Sequence, residues 1–193
     1  MSQKMIIGVD EVGRGAFAGP VVACAVYLPP NTPKLKEVTD SKLLPEYKRN
    51  LLSYQLKKQV KFAISCRPAV YIDKVGIFQA TMDALREAVL KLVNFDESKL
   101  KDFLILVDGK DKIPYLDCQQ KAIVKGDQKI YEISAASIIA KVFRDNLMKS
   151  LSQKYPLYQF DKHKGYGTPL HRQAISKYGK IHGIHRFSFI HFK

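Results

Sequence analysis

Long apolar runs are missing from this chain of 193 residues, and no stretch approaches the length needed to cross a bilayer. The apolar segment at the N-terminus is too short for a signal peptide, and two acidic residues follow it directly. Cysteine is scarce, and the spacing of Cys24, Cys66 and Cys118 argues against a disulfide framework or a zinc knuckle. The sequence therefore predicts a cytoplasmic protein without a membrane segment.

Acidic residues are few compared with basic ones. The chain has 32 Lys and Arg against 18 Asp and Glu, which gives a formal net charge of +14. Much of the excess lies at 141–193, where 11 basic residues accompany two acids. A surplus of this sign favours phosphate-rich partners such as nucleic acids, although a solvated basic surface gives the same pattern.

Internal repeats, low-complexity tracts and long linkers are also absent, so a hydrophobic content of 46% predicts one globular domain. Strands are predicted at 5–9, 20–28, 61–66, 103–107 and 122–124. Helices are predicted at 43–58, 71–93, 133–151 and 169–178, and the apolar residues of 71–93 alternate steps of three and four. This order predicts an α/β fold, with a mixed sheet and helices on its faces.

Several of the few acids fall where predicted strands end. Asp10 and Glu11 follow the first strand, Asp108 follows FLILV, and Asp127 follows AIVKG. Ligands gather beyond strand ends in open α/β sheets, and grouped carboxylates need protons or cations to offset their repulsion. Hard oxygen donors select Mg²⁺ or Mn²⁺, so the pattern favours a metal site, the alternative being that each aspartate caps a turn.

The adjacency of Asp10 and Glu11 is a geometrical problem for that hypothesis. Neighbouring residues of a regular strand point to opposite faces of the sheet. We therefore expect the strand to end or to bulge at this pair, which the glycines at 13 and 15 favour.

Seven ordered motifs resemble those of the ribonuclease HII family. They are GVDEVGRG at 8–15, DSK at 40–42, LVDG at 106–109, KGD at 125–127, SAASIIAKVFRD at 134–145, HKGYGT at 163–168 and HRFSF at 185–189. The resemblance covers nearly the whole chain and departs only slightly, with Val12 and Phe143 standing where many relatives carry Ala and Thr. It implies one ribonuclease H-like domain over 1–193, with a mixed sheet flanked by helices and 152–193 as a small helical, basic, substrate-binding extension.

The resemblance implies a metal-dependent endoribonuclease. Such an enzyme hydrolyses the RNA strand of RNA–DNA hybrids and cuts 5′ of single ribonucleotides embedded in duplex DNA, leaving 3′-hydroxyl and 5′-phosphate ends. Asp10, Glu11, Asp108 and Asp127 match the family's metal-binding acids, and they imply a site for two Mg²⁺ or Mn²⁺ ions with Asp10 as the bridging ligand. The expected partners are those nucleic acids; no protein partner is predicted, and the expected state is a monomer.

The substrate contacts are also expected from the resemblance. Gly13, Arg14 and Gly15 match a loop that senses the ribose 2′-hydroxyl, and Tyr166 matches a tyrosine that packs on the next, deoxy, sugar. We expect the Tyr166 ring to be exposed, since glycines flank it. Candidate phosphate contacts are Lys42, Ser137 and Lys141. The alternatives are a tight turn, an ordinary surface tyrosine and close packing of a helix on the sheet.

The remaining polar residues receive other roles. The histidines, including the neighbouring His182 and His185, lack a third ligand, so we expect structural or surface roles for them, with a phosphate contact by His185 and Arg186 as a further hypothesis. Asp145 is expected to pair with a basic neighbour.

Two other families of function are weighed against these expectations. The related ribonuclease HIII family usually has an extra N-terminal domain and a Lys in the glycine loop, where this chain has Arg14. A catalytically silent duplex-binding module would gain nothing from four acids placed near phosphate.

Overall fold

The computed structural model describes residues 4–39, 41 and 43–191. Within these residues, one five-stranded mixed sheet has the order β3-β2-β1-β4-β5. The strands are β1 (Met5–Val12), β2 (Val21–Tyr27), β3 (Lys61–Arg67), β4 (Phe103–Asp108) and β5 (Gln119–Ile123). β1 pairs antiparallel with β2 and parallel with β4, which places it at the centre of the sheet.

Helices cover both faces of the sheet. They are α1 (Glu46–Gln59), α2 (Ala69–Val75), α3 (Ile77–Leu92), α4 (Tyr131–Lys154), α5 (Phe160–His163) and α6 (Pro169–Tyr178). Alternate apolar residues of the central strands serve two cores: Ile7 and Val9 pack with α3, while Val22 and Cys24 pack with α1 and α4. This alternation is the consequence of a strand buried on both faces.

The prediction of one helix over 71–93 is wrong. The chain turns at Gly76, whose φ of 80° lies in the left-handed region, so that α2 ends there and α3 begins at Ile77. The apolar spacing does not reveal this break because both helices bury residues against the same face of β2, where Ile72 clusters with Val21 and Leu85 with Ala23. Glycine adopts such a φ without steric cost.

Other boundaries also differ from the predictions: β1 continues to Val12 instead of ending at residue 9, and α4 spans Tyr131–Lys154 instead of 133–151. α1 begins at Glu46, three residues later than expected, because Pro45 in an extended conformation precedes the first helical turn. β5 spans Gln119–Ile123 instead of 122–124, and its pairing with β4 ends at Ile123, which lies opposite Asp108.

The C-terminal part of the chain has a small core of its own. Phe160 and Ile175 pack with Met148 of α4 and with Ala18 of the loop that follows β1. The Gly19 N–H donates to the carbonyl of Ile184 at 2.9 Å, which joins this loop to the C-terminal part. No helix in the described part of the chain is long and apolar enough to cross a membrane.

Candidate active site

The central strand β1 extends beyond its neighbour β4. Its pairing with β2 continues without a bulge to Val12, whereas its pairing with β4 ends where Val9 lies opposite Val107. From Asp10 onward, therefore, β4 does not cover this edge of β1. The Asp10 carboxylate accepts a hydrogen bond from the Glu11 N–H at 2.7 Å. The strand neither ends nor bulges at this pair, contrary to the prediction, and both adjacent residues line one cavity beside the open edge.

A cavity of about 360 Å³ lies beside this open edge. Its lining residues are Asp10, Glu11, Val12, Ser41, Ser137, Lys141 and Tyr166. The structure thus brings together site residues predicted from β1, α4 and the loop after α5. Ser41 is an addition that sequence reasoning missed, although the DSK motif contains it; its hydroxyl lies 3.0 Å from that of Ser137.

The other two predicted acids lie at the ends of the neighbouring strands. Asp108 is the last residue of β4, and its Oδ1 accepts a hydrogen bond from the Gly126 N–H at 2.7 Å. Asp127 follows in a 3-10 helix and is buried, and its carbonyl accepts a hydrogen bond from the Ser134 hydroxyl at 2.5 Å. Asp108 therefore holds the turn that carries Asp127, and α4 holds it from the other side.

Electrostatics connect three of the acids. Burial raises the pKa of Asp10 well above its ordinary value, and the charges of Glu11 and Asp108 raise it further, while Ser137 opposes the shift by a hydrogen bond. Burial also raises the pKa of Glu11, which the Arg14 guanidinium opposes. Carboxylates in this situation ionise more readily when cations lie among them, and their hard oxygen donors fit a divalent ion such as Mg²⁺ or Mn²⁺.

The side chains do not surround an ion in this arrangement. Among residues 4–39, 41 and 43–191, no three Asp, Glu, His or Cys side chains converge closely enough to hold one metal. The acids share a region of the fold, and binding of one ion by three of them would need rotation of their side chains.

The two glycines of the predicted 2′-hydroxyl loop have different environments. Gly13 is buried with a φ of 93°, and a Cβ built on it would lie 2.2 Å from Nε of Arg144. Gly15 is exposed, and a Cβ there would meet nothing within 4 Å. Arg14 between them is exposed, with Nη1 at 3.6 Å from Oε1 of Glu11. The freedom of Gly13 is used for internal packing, and only Gly15 leaves open space for a ligand.

Two fully buried arginines hold this loop against the loop that carries Tyr166. Arg144 donates to the carbonyls of Ala18, Pro20 and Lys164 at 2.8–3.0 Å. Arg186 donates to the carbonyl of Arg14 at 2.8 Å. The hypothesis that Arg186 contacts phosphate is wrong, because the structure buries its side chain completely.

Tyr166 joins the two loops directly. It forms an antiparallel bridge with Ala16, and Phe17 and Ala18 donate to the carbonyl of Gly165. The ring is half-buried, contrary to the prediction of an exposed ring, because the Arg144 guanidinium lies 5.5 Å from its centre. Tyr166 is also one of the residues that line the cavity.

Three of the histidines form a buried cluster behind Tyr166. His163 stacks on His171 with ring centres 4.2 Å apart, and Nε2 of His171 lies 3.2 Å from Nε2 of His185. Nδ1 of His185 accepts a hydrogen bond from the Ile181 N–H, so Nε2 of His185 carries the proton and donates to His171. Nδ1 of His171 then donates to the carbonyl of Tyr166 at 3.0 Å. The expected structural role is confirmed, and the hypothesis that His185 contacts phosphate is wrong because the ring is buried.

This cluster predicts a dependence of stability on pH. Burial lowers the pKa of His171 and His185 to about 4, below the ordinary value of 6.5. The unfolded chain therefore binds more protons than the folded protein between these pH values, and their contribution to stability is lost as pH falls from about 6.5 to about 4. Urea unfolding of wild type, of His171→Asn and of the exposed-residue control His182→Asn checks this.

The comparison of slopes separates the histidines from the buried acids, whose protonation acts in the opposite direction. His171→Asn should show a shallower loss of unfolding free energy below pH 6.5 than wild type, and His182→Asn should match wild type. Equal slopes in all three proteins would contradict the assignment of neutral, buried imidazoles.

The outcome for the remaining polar residues of this region is mixed. Lys42 and Asp40 of the DSK motif lie outside the described residues. Asp145 pairs with a basic neighbour as expected, its Oδ1 accepting from Lys141 at 2.8 Å. The buried Arg49 was missed, since it lies in a helix whose many basic residues resemble a solvated surface.

Solved structures of type 2 ribonucleases H share this fold. The ribonuclease HII of Archaeoglobus fulgidus, solved in complex with PCNA, superposes with a TM-score of 0.77 at 25% identity, covering 98% of this chain and 96% of that one. The ribonuclease H2 of Pyrococcus horikoshii OT3 gives 0.76 at 27% identity, covering 95% and 92%. A Bst-RNase HIII solved in complex with Mn²⁺ shares the fold at 22% identity, with a TM-score of 0.77, covering 96% of this chain and 67% of that one. The expected ribonuclease H-like fold is confirmed.

The family follows from sequence comparison. The family model described as ribonuclease HII matches residues 7–192. The ribonuclease HII of Fusobacterium nucleatum subsp. nucleatum is 47% identical over 190 residues, covering 98% of this chain and 87% of that protein. The ribonuclease HII of Caldicellulosiruptor bescii is 43% identical over 188 residues, covering 97% and 87%. The chain belongs to the ribonuclease HII family, and it is an endoribonuclease.

Proposed function

We propose that this enzyme hydrolyses the RNA strand of RNA–DNA hybrids and cuts on the 5′ side of single ribonucleotides embedded in duplex DNA. The products are a 3′-hydroxyl and a 5′-phosphate. One observation carries the proposal: the acids at the open edge of β1 line the same cavity as Tyr166, which the Ala16 bridge joins to the glycine loop. Groups suited to hydrolysis and groups suited to sensing a sugar therefore face one bound strand.

The acids hold the metal in this proposal. Two divalent ions, Mg²⁺ or Mn²⁺, would be bound by Asp10, Glu11, Asp108 and Asp127. Oxygen donors suit these ions. Their charge would also offset the repulsion and burial that raise the pKa of Asp10. When bound, such ions supply an activated water and stabilise the leaving oxygen in phosphodiester hydrolysis. The burial of Asp10 and Asp127 keeps these carboxylates largely out of bulk water.

The remaining cavity residues orient the substrate. Lys141 provides a cation and Ser137 a hydroxyl for the phosphates of the bound strand, and Lys42 is proposed as a further cation. The exposed backbone at Gly15 can approach a 2′-hydroxyl without a Cβ in the way. That hydroxyl both donates and accepts hydrogen bonds, and it distinguishes RNA from DNA at one position.

Tyr166 supplies the second half of the selectivity. The half-buried ring, held by Arg144, presents a fixed face to the cavity. A deoxyribose packs against such a face, whereas an added 2′-oxygen collides with it. The combination favours a ribonucleotide followed by a deoxynucleotide.

The test uses a duplex with one ribonucleotide in an end-labelled strand. Incubation with Mg²⁺ or with Mn²⁺ should give a single cut on the 5′ side of the ribonucleotide, and EDTA should abolish it. Extension of the fragment upstream of the cut by a DNA polymerase checks for its 3′-hydroxyl, and an all-DNA duplex is the control. Cutting on the 3′ side, or binding without cutting in both metals, would refute the proposal.

A further inference from the structure

Arg49 lies buried where α1 meets α4, close to the candidate active site but not in it. Its Nη1 donates to the carbonyls of Ser41 and Leu44, at 2.9 Å in each case. Its Nη2 lies 3.5 Å from Oδ2 of Asp145 on α4. One guanidinium therefore fixes both the loop that precedes α1 and a carboxylate of the neighbouring helix.

Each of these contacts leads to the wall of the cavity. Asp145, which is buried, also accepts a hydrogen bond from Lys141 Nζ at 2.8 Å. The loop held by Arg49 presents Ser41, whose hydroxyl lies 3.0 Å from that of Ser137. Ser41, Ser137 and Lys141 all line the cavity. Arg49 is thus linked to two polar groups of this wall through one intervening residue each: to Ser137 through Ser41, and to Lys141 through Asp145.

The position of the Lys141 ammonium depends on competition between anions. Asp145 attracts it away from Asp10 and Glu11, which line the same cavity. A long lysine side chain is flexible, so loss of its partner would let the ammonium turn towards those acids. It would then be lost as a cation for a phosphate. Arg49 stabilises the arrangement because it holds the Asp145 carboxylate in place.

We propose that Arg49 is a positioning residue, which acts through Asp145 and Ser41 to hold Lys141 and Ser137 where the phosphates of the bound strand lie. The inference rests on the proposed function, since it takes Lys141 and Ser137 as substrate contacts. Arg49 itself is buried and is not among the residues that line the cavity.

The same two helices offer a matched control. Glu46 of α1 pairs with Lys149 of α4, one turn away from the Arg49–Asp145 pair on each helix. Both side chains of this control pair are exposed, at 47% and 40%, and neither lines the cavity. Glu46→Gln therefore removes an ion pair between α1 and α4 without disturbing the active-site wall.

A double-mutant cycle tests the proposal. The dissociation constant of a duplex with one ribonucleotide is measured in EDTA by fluorescence anisotropy for wild type, Arg49→Gln, Lys141→Met and the double variant. Each single change should weaken binding about ten-fold, or about 1.4 kcal/mol. The double variant should bind no more weakly than Lys141→Met, because one interaction is removed twice. Glu46→Gln should bind like wild type, and in Mg²⁺ Arg49→Gln should raise KM more than it lowers kcat.

The outcomes separate this inference from the proposed function. Additive losses in the cycle, or wild-type binding by an Arg49→Gln variant whose melting temperature alone has fallen, would overturn the role of Arg49. If Arg49→Gln does not fold, the isosteric Asp145→Asn takes its place in the same cycle with the same expectation. If Lys141→Met binds normally, both the substrate contact and this inference fail, whereas a wild-type protein that does not cut the duplex refutes the proposed function itself.

Discussion

Replacement of Asp10 by asparagine is expected to abolish cleavage and also to raise the melting temperature of the metal-free protein. The change removes a buried carboxylate that faces the charges of Glu11 and Asp108. It also removes the oxygen charge through which the proposed ions are held, so kcat should fall by at least about 10³-fold, or about 4 kcal/mol of transition-state stabilisation. Binding of a duplex with one ribonucleotide should be retained or improved, since an anion near the phosphates is lost.

The pH dependence gives the sign of the stability effect. The pKa of Asp10 in the folded protein lies above its ordinary value of 3.8, so the folded protein holds a proton that the unfolded chain releases. Wild type therefore loses stability as pH rises from about 4 through the folded pKa, and the asparagine variant lacks this loss. Added Mg²⁺ should raise the melting temperature of wild type and have less effect on the variant, because only the intact site binds the ion well.

Thermal melting with and without Mg²⁺, beside a cleavage assay, checks this prediction. Asp102→Asn is the control, because Asp102 is exposed at the end of a 3-10 helix (Glu97–Asp102) away from the site. The control should cut and melt like wild type. An Asp10→Asn protein that retains cleavage would remove Asp10 from the catalytic role, and one that melts lower than wild type without metal would contradict the raised pKa of Asp10.

Substitution of Gly13 and Gly15 by alanine should affect different properties, the stability of the fold in the first case and recognition of the ribonucleotide in the second. Gly13→Ala should destabilise the fold, because an alanine at a φ of 93° costs about 1–3 kcal/mol in backbone strain and its Cβ would also clash with Arg144. The Arg144 guanidinium cannot move aside easily, since three carbonyls hold it. The melting temperature should fall by roughly 2–4 °C for each kcal/mol lost in a domain of this size.

Gly15→Ala should leave the fold intact and reduce recognition of the ribonucleotide. A Cβ at Gly15 meets no protein atom within 4 Å, so the melting temperature should stay close to that of wild type. The added methyl group would lie where the backbone approaches the 2′-hydroxyl, and kcat/KM on a single-ribonucleotide duplex should fall on the order of 10–100-fold. Affinity for an all-DNA duplex in EDTA should not change, because that substrate has no 2′-hydroxyl.

The two variants are informative as a pair. Differential scanning fluorimetry and cleavage kinetics separate loss of fold from loss of recognition. Wild-type kinetics for Gly15→Ala would mean that this backbone does not approach the sugar, whereas a wild-type melting temperature for Gly13→Ala would contradict the packing of Gly13 on Arg144.

The sequence predicted the sheet and the location of the acids because both depend on local patterns. Apolar runs mark buried strands, and Asp10 and Asp108 follow two of these runs directly. Ordered motifs then connected these acids with Tyr166 far along the chain. Such information is sufficient for the fold and for the set of candidate residues.

Features that depend on the relative length of elements were not predictable in this way. The open edge beside Glu11 exists because β1 is longer than β4, and no local pattern encodes that difference. The break at Gly76 was missed because apolar spacing continues through it. Arg49 was missed because its burial depends on how α1 packs on α4, whereas its sequence neighbours are mostly polar.

The shared core of Ala18, Met148 and Phe160 has a consequence for the modularity of this enzyme. The loop that leaves β1 towards the site is anchored on the C-terminal helices, so truncation before Phe160 would strip that loop of its support while leaving the sheet complete. A shortened chain of this kind could fold around β1 and still have no organised place for the sugar, and the catalytic unit is therefore larger than the sheet that carries its acids.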